Sequence, residues 1–184
     1  AEVEKATGGA VSVLVNNAGG VRGQVGRPLE EISLRDWKVI YEANVDGAFW
    51  FSQAAAPGMK AAKHGRIVNI ASDAARVGSS GEAVYAACKG GLVAFSKTIA
   101  REHARHGITV NVVCPGPTDT ALLAGMAEGA SDPGKLIEAF RRAIPLGRLA
   151  QPDDLVGAIL FFASDDAGFA AAQVLSVSGG LTMS

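Results

Sequence analysis

The chain has 184 residues, of which 48% are hydrophobic and 19% are charged, and its formal net charge is −1. This composition is typical of a globular domain, and no basic patch indicates a nucleic-acid partner. No apolar run is long enough to cross a bilayer and no signal peptide opens the chain, so we expect a cytoplasmic protein without a membrane partner.

The cysteines and histidines do not form a metal-site pattern. Cys88 and Cys114 lack the spacing of metal ligands, and we expect both to be small buried thiols in a reducing compartment. His64, His103 and His106 fall in a turn or at a helix end among charged residues, so we expect them to be solvated. The sequence therefore predicts no bound metal.

Strands and helices alternate along the chain, which predicts an α/β fold with a parallel, doubly wound sheet. In the first half, the pattern predicts a helix tail to residue 6, a strand at 11–15, a long helix with Ser33 as N-cap that ends near Pro57-Gly58, and a strand at 67–71. In the second half, it predicts a loop at 73–82, a helix around Tyr85 that runs to about His106, a strand at 108–113, a helix at 153–164 and a strand at 174–177.

A polar residue lies on the apolar face of the long helix. Trp37, Ile40, Asn44 and Ala48 recur at helical spacing, so we expect Asn44 to point inward. A buried amide costs free energy unless it is hydrogen bonded. Either the backbone satisfies this amide as a structural feature, or the amide takes part in a site, and the two interpretations are compatible.

Tyr85 and Lys89 are the most informative pair in the sequence. Positions i and i+4 share a helix face, so the ammonium can lie beside the phenol and lower a pKa that is otherwise about 10. Ser72, thirteen residues before Tyr85, could hold a carbonyl or alcohol oxygen near that phenol. The set predicts a proton-transfer site for interconverting an alcohol and a ketone, although Tyr-x-x-x-Lys alone is more often a solvated helix pair.

Three apolar strands end in polar turns. The first runs into Asn16-Asn17-Ala18-Gly19, the second ends just before Ser72, and the third runs into Cys114-Pro115-Gly116. Chemistry in open α/β sheets gathers at the carboxyl ends of the strands. The order and spacing of these motifs therefore place the polar groups where such a site is expected.

With these motifs, the chain resembles the short-chain dehydrogenase/reductase family. The matching residues are Asn16-Asn17-Ala18-Gly19, Asn44, Ser72, Tyr85, Lys89 and Pro115-Gly116. The resemblance covers essentially the whole chain, and within the family the sequence is similar to 3-oxoacyl-thioester reductases and cyclic-alcohol dehydrogenases. It implies a Rossmann-like fold and hydride transfer between NAD or NADP and a secondary alcohol or ketone.

The resemblance implies a role for each matching residue. Tyr85 would be the acid in reduction and the base in oxidation, Lys89 would lower its pKa and hold the nicotinamide ribose, and Ser72 would orient the substrate oxygen. Asn44 would hold a water in a proton relay from Lys89 to solvent. The expected cofactor contacts are Asn17, Ala18 and Gly19 on the adenosine side, and Tyr85, Lys89, Pro115, Gly116, Thr118 and Thr120 around the nicotinamide.

Residues 117–144 exceed the usual length of a loop. The resemblance implies a mobile lid over the substrate, and the alternative is a plain surface connection. Val77, Leu122, Leu123 and Met126 suggest an apolar substrate pocket, although such residues also serve as packing.

One part of the family pattern is missing from the sequence. Family members begin with a glycine-rich turn that holds the cofactor pyrophosphate, but no Gly-x-Gly-x-x-Gly occurs here, and Gly20, Gly23 and Gly26 belong to a loop. We therefore interpret residues 1–184 as the C-terminal catalytic portion of a single Rossmann-fold domain that lacks its N-terminal βαβαβ portion. A chain limited to these residues should expose the strand edge at 11–15, aggregate or require another polypeptide, and have negligible activity.

Two further expectations concern a local departure and assembly. Ala170-Ala171-Ala172 stands where the family usually has a Thr-Gly pair. The resemblance and the apolar segment at 174–183 suggest a homotetramer or dimer, with the Asn44 and Tyr85 helices also at its interfaces. The alternatives to a dehydrogenase are an inactive fragment or an oligomerisation or binding module, and a relative that uses the same site for dehydration or epimerisation.

Overall fold

The computed structural model describes residues 2–23, 25–128 and 132–183. Its centre is a parallel sheet of four strands in the order β1-β2-β3-β4, with bounds Val13–Asn16, Gly65–Ile70, Ile108–Pro115 and Val174–Val177. The register pairs Val15 with Val68, Val68 with Asn111, and Val113 with Leu175. The predicted α/β fold with a parallel sheet is therefore confirmed.

Eight α-helices surround the sheet in the described part of the chain. Their bounds are α1 Glu2–Thr7, α2 Leu34–Tyr41, α3 Gly47–Ala62, α4 Ala74–Val77, α5 Ala83–His103, α6 Ala121–Glu128, α7 Pro133–Ala143 and α8 Pro152–Ala163. A π-helical turn at Glu42–Asp46 joins α2 to α3, and short 3₁₀ turns occupy Leu29–Glu31, Ala104–His106 and Asp165–Ala167. Ser33 caps α2 as expected, because its hydroxyl accepts a hydrogen bond from the Asp36 N–H at 3.1 Å.

Helices cover both faces of the sheet because alternate residues of the central strands point to opposite sides. Ile67 packs with Met59 of α3 and Ala100 of α5 on one face. Its neighbour Val68 packs with Phe162 of α8 on the other face. Strands buried on both faces read as continuous apolar runs, which explains the sequence of β2 and β3.

Three local expectations differ from the structure. The helix α3 continues through Pro57-Gly58 to Ala62, because Ala55 and Met59 are buried in the core on either side of the proline. The segment 73–82, expected to be a loop, contains the short helix α4. Trp37 is 42% exposed, so the inward face of α2 begins only at Ile40.

The strand β1 forms one edge of the sheet in the described part of the chain. It pairs with β2, and its Val13 and Val15 side chains are about two-fifths exposed. From the sequence, we expect a chain limited to these residues to aggregate or require another polypeptide, and to have negligible activity. These expectations stay predictions. No helix among the described residues combines the length and hydropathy needed to cross a membrane.

Ala172 has a left-handed backbone with a φ of 59°, and it lies in the stretch where the family resemblance led us to expect a Thr-Gly pair. This conformation costs a non-glycine residue roughly 1–2 kcal/mol. Ala172→Gly should therefore leave the free energy of unfolding unchanged or raise it. Ala171→Gly is the matched control, because Ala171 has no positive φ. This variant should lose roughly 0.5–1 kcal/mol of unfolding free energy, since glycine has more conformational entropy in the unfolded chain. Urea denaturation of the two variants tests this, and an equal loss in both would contradict it.

Candidate active site

The carboxyl ends of the four parallel strands lie along one edge of the sheet. β1 leads into Asn17, β2 is followed by Ser72, β3 ends at Pro115, and β4 is followed by Ser178. The helix α5 packs against β3 and carries Tyr85 and Lys89. The structure therefore brings the sequence-predicted residues to one edge.

The Lys89 ammonium is the most deeply buried charge of the site. Lys89 is 3% exposed, and its Nζ donates a hydrogen bond of 2.9 Å to the Ile70 carbonyl at the end of β2. The same Nζ lies 5.7 Å from the centroid of the Tyr85 ring. Burial lowers the pKa of Lys89 to about 8, because desolvation disfavours the charged form.

The Tyr85 phenol differs from the expectation drawn from the sequence. Burial raises its pKa, the interaction with the Ser72 hydroxyl lowers it, and Glu82 and Cys114 raise it further. The net shift is upward, whereas the pair Tyr85 and Lys89 alone predicted a lowered pKa. The reason is that burial desolvates the phenol, and this effect is larger than the lowering effect of the Ser72 hydroxyl.

Ser72 lies on the first turn after β2. Its Oγ accepts a hydrogen bond of 3.2 Å from the Ala74 N–H, and its carbonyl accepts one of 3.0 Å from the Ala75 N–H. These bonds start α4 and fix the direction of the serine side chain. The hydroxyl that acts on the Tyr85 pKa is thus held by a structured turn rather than by a flexible loop.

Asn44 is buried in the π-helical turn, and the backbone satisfies its amide. The Oδ1 accepts from the Gly20 N–H at 3.0 Å, and the Nδ2 donates to the Gly20 and Ile40 carbonyls at 2.8 Å each. In a π-turn the backbone bonds shift to i→i+5, and such turns are frequent at functional sites. The structural interpretation of Asn44 is therefore confirmed, and a relay role stays a proposal.

Gly19 occupies a position where a side chain would not fit. A Cβ atom there would lie 2.6 Å from Asn44 Oδ1 and 3.0 Å from Lys89 Nζ. Both polar side-chain ends therefore approach the same point of the β1 turn. Asn17 and Ala18, the other residues expected on the adenosine side, are exposed.

The residues expected around the nicotinamide lie after β3. Gly116 has room for no side chain because a Cβ would lie 2.8 Å from Ser178 Cβ. Thr118 donates to the Gly116 carbonyl at 2.9 Å, and Thr120 Oγ1 accepts from the Leu123 N–H at 3.4 Å at the start of α6. Pro115, Thr118 and Thr120 are half-buried, so their surfaces are open to a ligand.

The segment 117–144 consists mainly of the helices α6 and α7, and residues 129–131 lie outside the described residues. Leu123 is buried with Ile144 and Leu149, so it packs this segment together instead of facing a substrate. Val77 is 67% exposed and Leu122 44%, whereas Met126 is half-buried. These three side chains remain available for an apolar substrate.

Sequence reasoning missed several residues that act on the site. The Ile70 carbonyl and the Gly20 backbone are invisible in a side-chain motif. Glu82 is buried one turn before Tyr85 and raises its pKa, and Asp73 follows Ser72 as a buried carboxylate. An acidic residue three positions before a candidate acid–base residue on a helix was the available signal for Glu82.

Among the described residues, no group of three histidine, cysteine or carboxylate side chains could hold a metal ion. Cys88 and Cys114 are buried free thiols, as expected. The arrangement combines a protonated phenol, a hydroxyl and an ammonium of lowered pKa at the carboxyl ends of the strands. Chemically, it can give a proton to a carbonyl oxygen or take one from an alcohol.

Comparisons with known proteins identify related sequences. A family model described as enoyl-(acyl carrier protein) reductase matches residues 1–182. The chain is 39% identical over 175 residues to the 3-oxoacyl-[acyl-carrier-protein] reductase of Escherichia coli, covering 95% of this chain and 68% of that protein. It is 40% identical over 175 residues to the (2S)-[(R)-hydroxy(phenyl)methyl]succinyl-CoA dehydrogenase subunit of Thauera aromatica, covering 95% and 66%.

A solved structure from Agrobacterium tumefaciens, assigned as a gluconate dehydrogenase, has the same fold. It superposes with a TM-score of 0.88 at 28% sequence identity, covering 100% of this chain and 70% of that chain.

The burial of Lys89 predicts a stability effect. Below pH 8 the amine is protonated in both the folded and unfolded protein, so the desolvation penalty is complete. Between about 8 and 10.5 the folded protein loses the proton first, and the penalty falls as the pH rises. Lys89→Met should therefore raise the free energy of unfolding by on the order of 1–3 kcal/mol at pH 7.

Thermal unfolding without added nicotinamide, measured from pH 7 to 10, tests this prediction, and the advantage of Lys89→Met should shrink above pH 8. Lys97→Met on the exposed face of the same helix is the control and should show no such trend. A destabilised Lys89→Met variant at every pH would contradict the prediction.

Proposed function

Because this chain belongs to the short-chain dehydrogenase/reductase family of NAD(P)-dependent enzymes, we propose that it transfers a hydride between a nicotinamide cofactor and a secondary alcohol or ketone. The observation that carries this proposal is the buried Lys89 ammonium beside the Tyr85 phenol, with the Ser72 hydroxyl acting on the same phenol. In this proposal Asn44, Ser72, Tyr85 and Lys89 form the catalytic group. Residues 1–184 supply the catalytic portion of one Rossmann-fold domain.

The residues at the strand ends fit a nicotinamide cofactor. Among the described residues, Lys89 donates one of its three N–H groups to the Ile70 carbonyl. The other two N–H groups can bind ribose hydroxyls. Gly19 and Gly116 keep side chains away from the cleft on both sides. Asn17, Ala18 and Gly19 would hold the adenosine side, and Pro115, Gly116, Thr118 and Thr120 the nicotinamide side. The bound cofactor would supply or accept the hydride.

Tyr85 exchanges the proton in this proposal. With its pKa raised, the phenol is protonated at neutral pH and can donate to the oxygen of a ketone as the carbon is reduced. The Ser72 hydroxyl would hold that oxygen and stabilise its developing charge. Oxidation needs the phenolate and is therefore favoured at alkaline pH.

Lys89 and Asn44 would return the proton to Tyr85. With a pKa of about 8, Lys89 can give up a proton near neutral pH more readily than an exposed lysine. The Asn44 Oδ1 approaches the same point beside Gly19 as the Lys89 ammonium, so a water in this region could join them to solvent. The hydrogen bonds of Asn44 to Gly20 and Ile40 hold its amide in place for that task.

For the substrate, we infer an acyl thioester with a keto or hydroxyl group, or a cyclic alcohol. Two relatives are named for reactions of thioesters of acyl carrier protein or coenzyme A. The half-buried Met126 and the exposed Val77 and Leu122 offer an apolar surface for the acyl or ring portion. NAD and NADP are both compatible with these residues. The two buried free thiols fit a reducing compartment such as the cytoplasm.

Removing the Tyr85 hydroxyl tests the proposed role of this residue. Tyr85→Phe in the full-length protein should lower turnover by about 10²–10⁴-fold, the usual contribution of general acid–base catalysis. Nicotinamide absorbance with 3-oxoacyl thioester and cyclic ketone substrates gives the rate. Tyr41→Phe, at the only other tyrosine, is the control because Tyr41 is 41% exposed on α2. Near-native turnover of Tyr85→Phe would remove the mechanism.

We also propose a homodimer or homotetramer that uses the outer faces of α3 and α5. Phe49, Trp50 and Phe51 are exposed on α3, and the Phe49 ring lies 6.0 Å from that of Phe95 on α5. Beside them, a groove of about 310 Å³ separates the two helices. An exposed aromatic patch of this kind marks an interaction surface, and two-fold contacts are the commonest solution in homo-oligomers.

The assembly proposal predicts that Trp50→Glu dissociates the oligomer, since a carboxylate would replace a large apolar contact. Light scattering at micromolar concentration would measure the mass. Leu29→Glu is the control, because Leu29 is 72% exposed in a 3₁₀ turn that is not part of α3 or α5. A parent protein that is already a clean monomer would refute the proposal.

A further inference from the structure

A buried carboxylate that the proposed chemistry does not use follows the candidate serine directly. Asp73 is 4% exposed. Its Oδ2 accepts hydrogen bonds from Ser176 Oγ at 2.9 Å and from Thr182 Oγ1. Its N–H donates to the Pro115 carbonyl at 3.0 Å. Asp73 therefore joins three segments: the turn after β2, the end of β3, and the residues from the end of β4 onward.

The placement of Asp73 is costly for the fold. Its Oδ1 is buried, and no described residue gives it a hydrogen bond. A buried polar atom without a partner costs about 1–3 kcal/mol, and an apolar residue would avoid that cost. Asp73 also acts on the strand end beside it, since burial and the charge of Asp73 raise the pKa of Cys114 to about 11. Packing alone gives no reason for a carboxylate here.

Residues 176–182, here called the C-terminal segment, are fixed around this carboxylate. Ser178 Oγ accepts a hydrogen bond from the Thr182 N–H at 3.2 Å and lies 2.9 Å from Ser176 Oγ, to which it can donate because the single Ser176 hydroxyl proton goes to Asp73. The Gly116 N–H donates to the Val177 carbonyl at 3.1 Å, and Ser178 lies against Gly116 so closely that no Cβ would fit. The C-terminal segment is therefore attached both to Asp73 and to the end of β3.

The backbone of Asp73 transmits this attachment to Ser72. The Asp73 carbonyl accepts from the Arg76 and Val77 N–H groups at 2.9 and 3.1 Å, so Asp73 begins the hydrogen-bonded turns of α4. The Ala74 N–H in the same turn donates to Ser72 Oγ. A shift of Asp73 would move the donor that orients the Ser72 hydroxyl.

We propose that Asp73 is a positioning residue for Ser72, and that the hydroxyls of Ser176 and Thr182 in the C-terminal segment hold it in place. The inference rests on the proposed function of Ser72. It makes the C-terminal segment part of the active-site support, although none of its hydroxyls contacts the reacting groups.

Thr182→Val in the full-length protein tests this inference, because it removes the hydroxyl donor to Asp73 and keeps the shape of the side chain. Thr182→Ser restores the hydroxyl. Thr109→Val is the matched control, since Thr109 is buried on β3 and its hydroxyl has no partner among the described residues. Asp73→Asn and Ser176→Ala change the other two side chains. Turnover is expressed per folded protein, with cofactor affinity and melting temperature measured in parallel.

We expect Thr182→Val and Asp73→Asn to lower kcat by about 10- to 100-fold, as when a reacting group is displaced by a fraction of an ångström to an ångström. Cofactor affinity should stay native, Thr182→Ser should recover most of the turnover, and Thr109→Val should be unaffected. The pH profile of oxidation adds a second readout. The interaction with Ser72 lowers the Tyr85 pKa, whereas burial, Glu82 and Cys114 raise it. If Ser72 is displaced, the rate of alcohol oxidation should therefore begin to rise at a higher pH.

Native kcat and an unchanged pH profile in folded Thr182→Val and Asp73→Asn would overturn the inference. If Asp73→Asn does not fold, Thr182→Val and Ser176→Ala decide, and native turnover in both would again overturn it. Ser72→Ala separates this outcome from failure of the proposed function. A Ser72→Ala variant with native turnover would remove the role of Ser72 itself, whereas an inactive Ser72→Ala beside a fully active Thr182→Val would remove only the role of Asp73.

Discussion

The hydrogen bond from the buried Lys89 ammonium to the Ile70 carbonyl is the constraint on which the rest of the site depends. The ammonium needs a polar partner inside the protein, and the end of β2 provides a carbonyl at 2.9 Å. To reach it, α5 must lie close against the sheet. Gly19 lets the β1 turn pass beside the same ammonium, since any side chain would collide with Lys89 and Asn44.

Several features around this hydrogen bond cost free energy. The helix from Leu34 to Ala62 is interrupted by a π-turn at Asn44, whose amide binds the backbone of Gly20. The buried carboxylates of Glu82 and Asp73 flank the Tyr85 and Ser72 side chains along the chain. A buried carboxylate costs free energy that an apolar side chain would not cost, and a π-turn is a rare departure from a regular α-helix. Their concentration at the carboxyl ends of the strands is typical of a functional site.

The sequence predicted most of the fold because its signals are local and strong. Buried strands such as β2 and β3 read as apolar runs, and Ser33 marks the start of α2 through its own hydrogen bond. Pro57 misled the prediction because tertiary packing of Ala55 and Met59 outweighs the loss of one helical hydrogen bond. The helix α4 was missed because it has only four residues and is followed directly by Gly78-Ser79-Ser80-Gly81, a pattern typical of a loop.

The sequence predicted which side chains form the candidate site, but not the direction or the size of their pKa shifts. The spacing of Tyr85 and Lys89 showed that they share a helix face, and the structure confirms their proximity. The direction of the Tyr85 pKa shift depends on burial and on Glu82, and the size of the Lys89 pKa shift depends on burial, which outweighs the opposing effects of Cys88 and Cys114. These properties arise only when the segments are packed. A spacing rule cannot contain them.

The burial of the Lys89 ammonium is measured most directly by an NMR titration of its side-chain amine, with ¹⁵N-labelled lysine and the Lys89→Met spectrum for assignment. We expect a midpoint near 8, well below the ordinary 10.5, because the ammonium is desolvated and bonded to a neutral carbonyl. A midpoint near the ordinary 10.5 would show that Lys89 is solvated or paired with a carboxylate, and would rule out a desolvated ammonium held only by the Ile70 carbonyl.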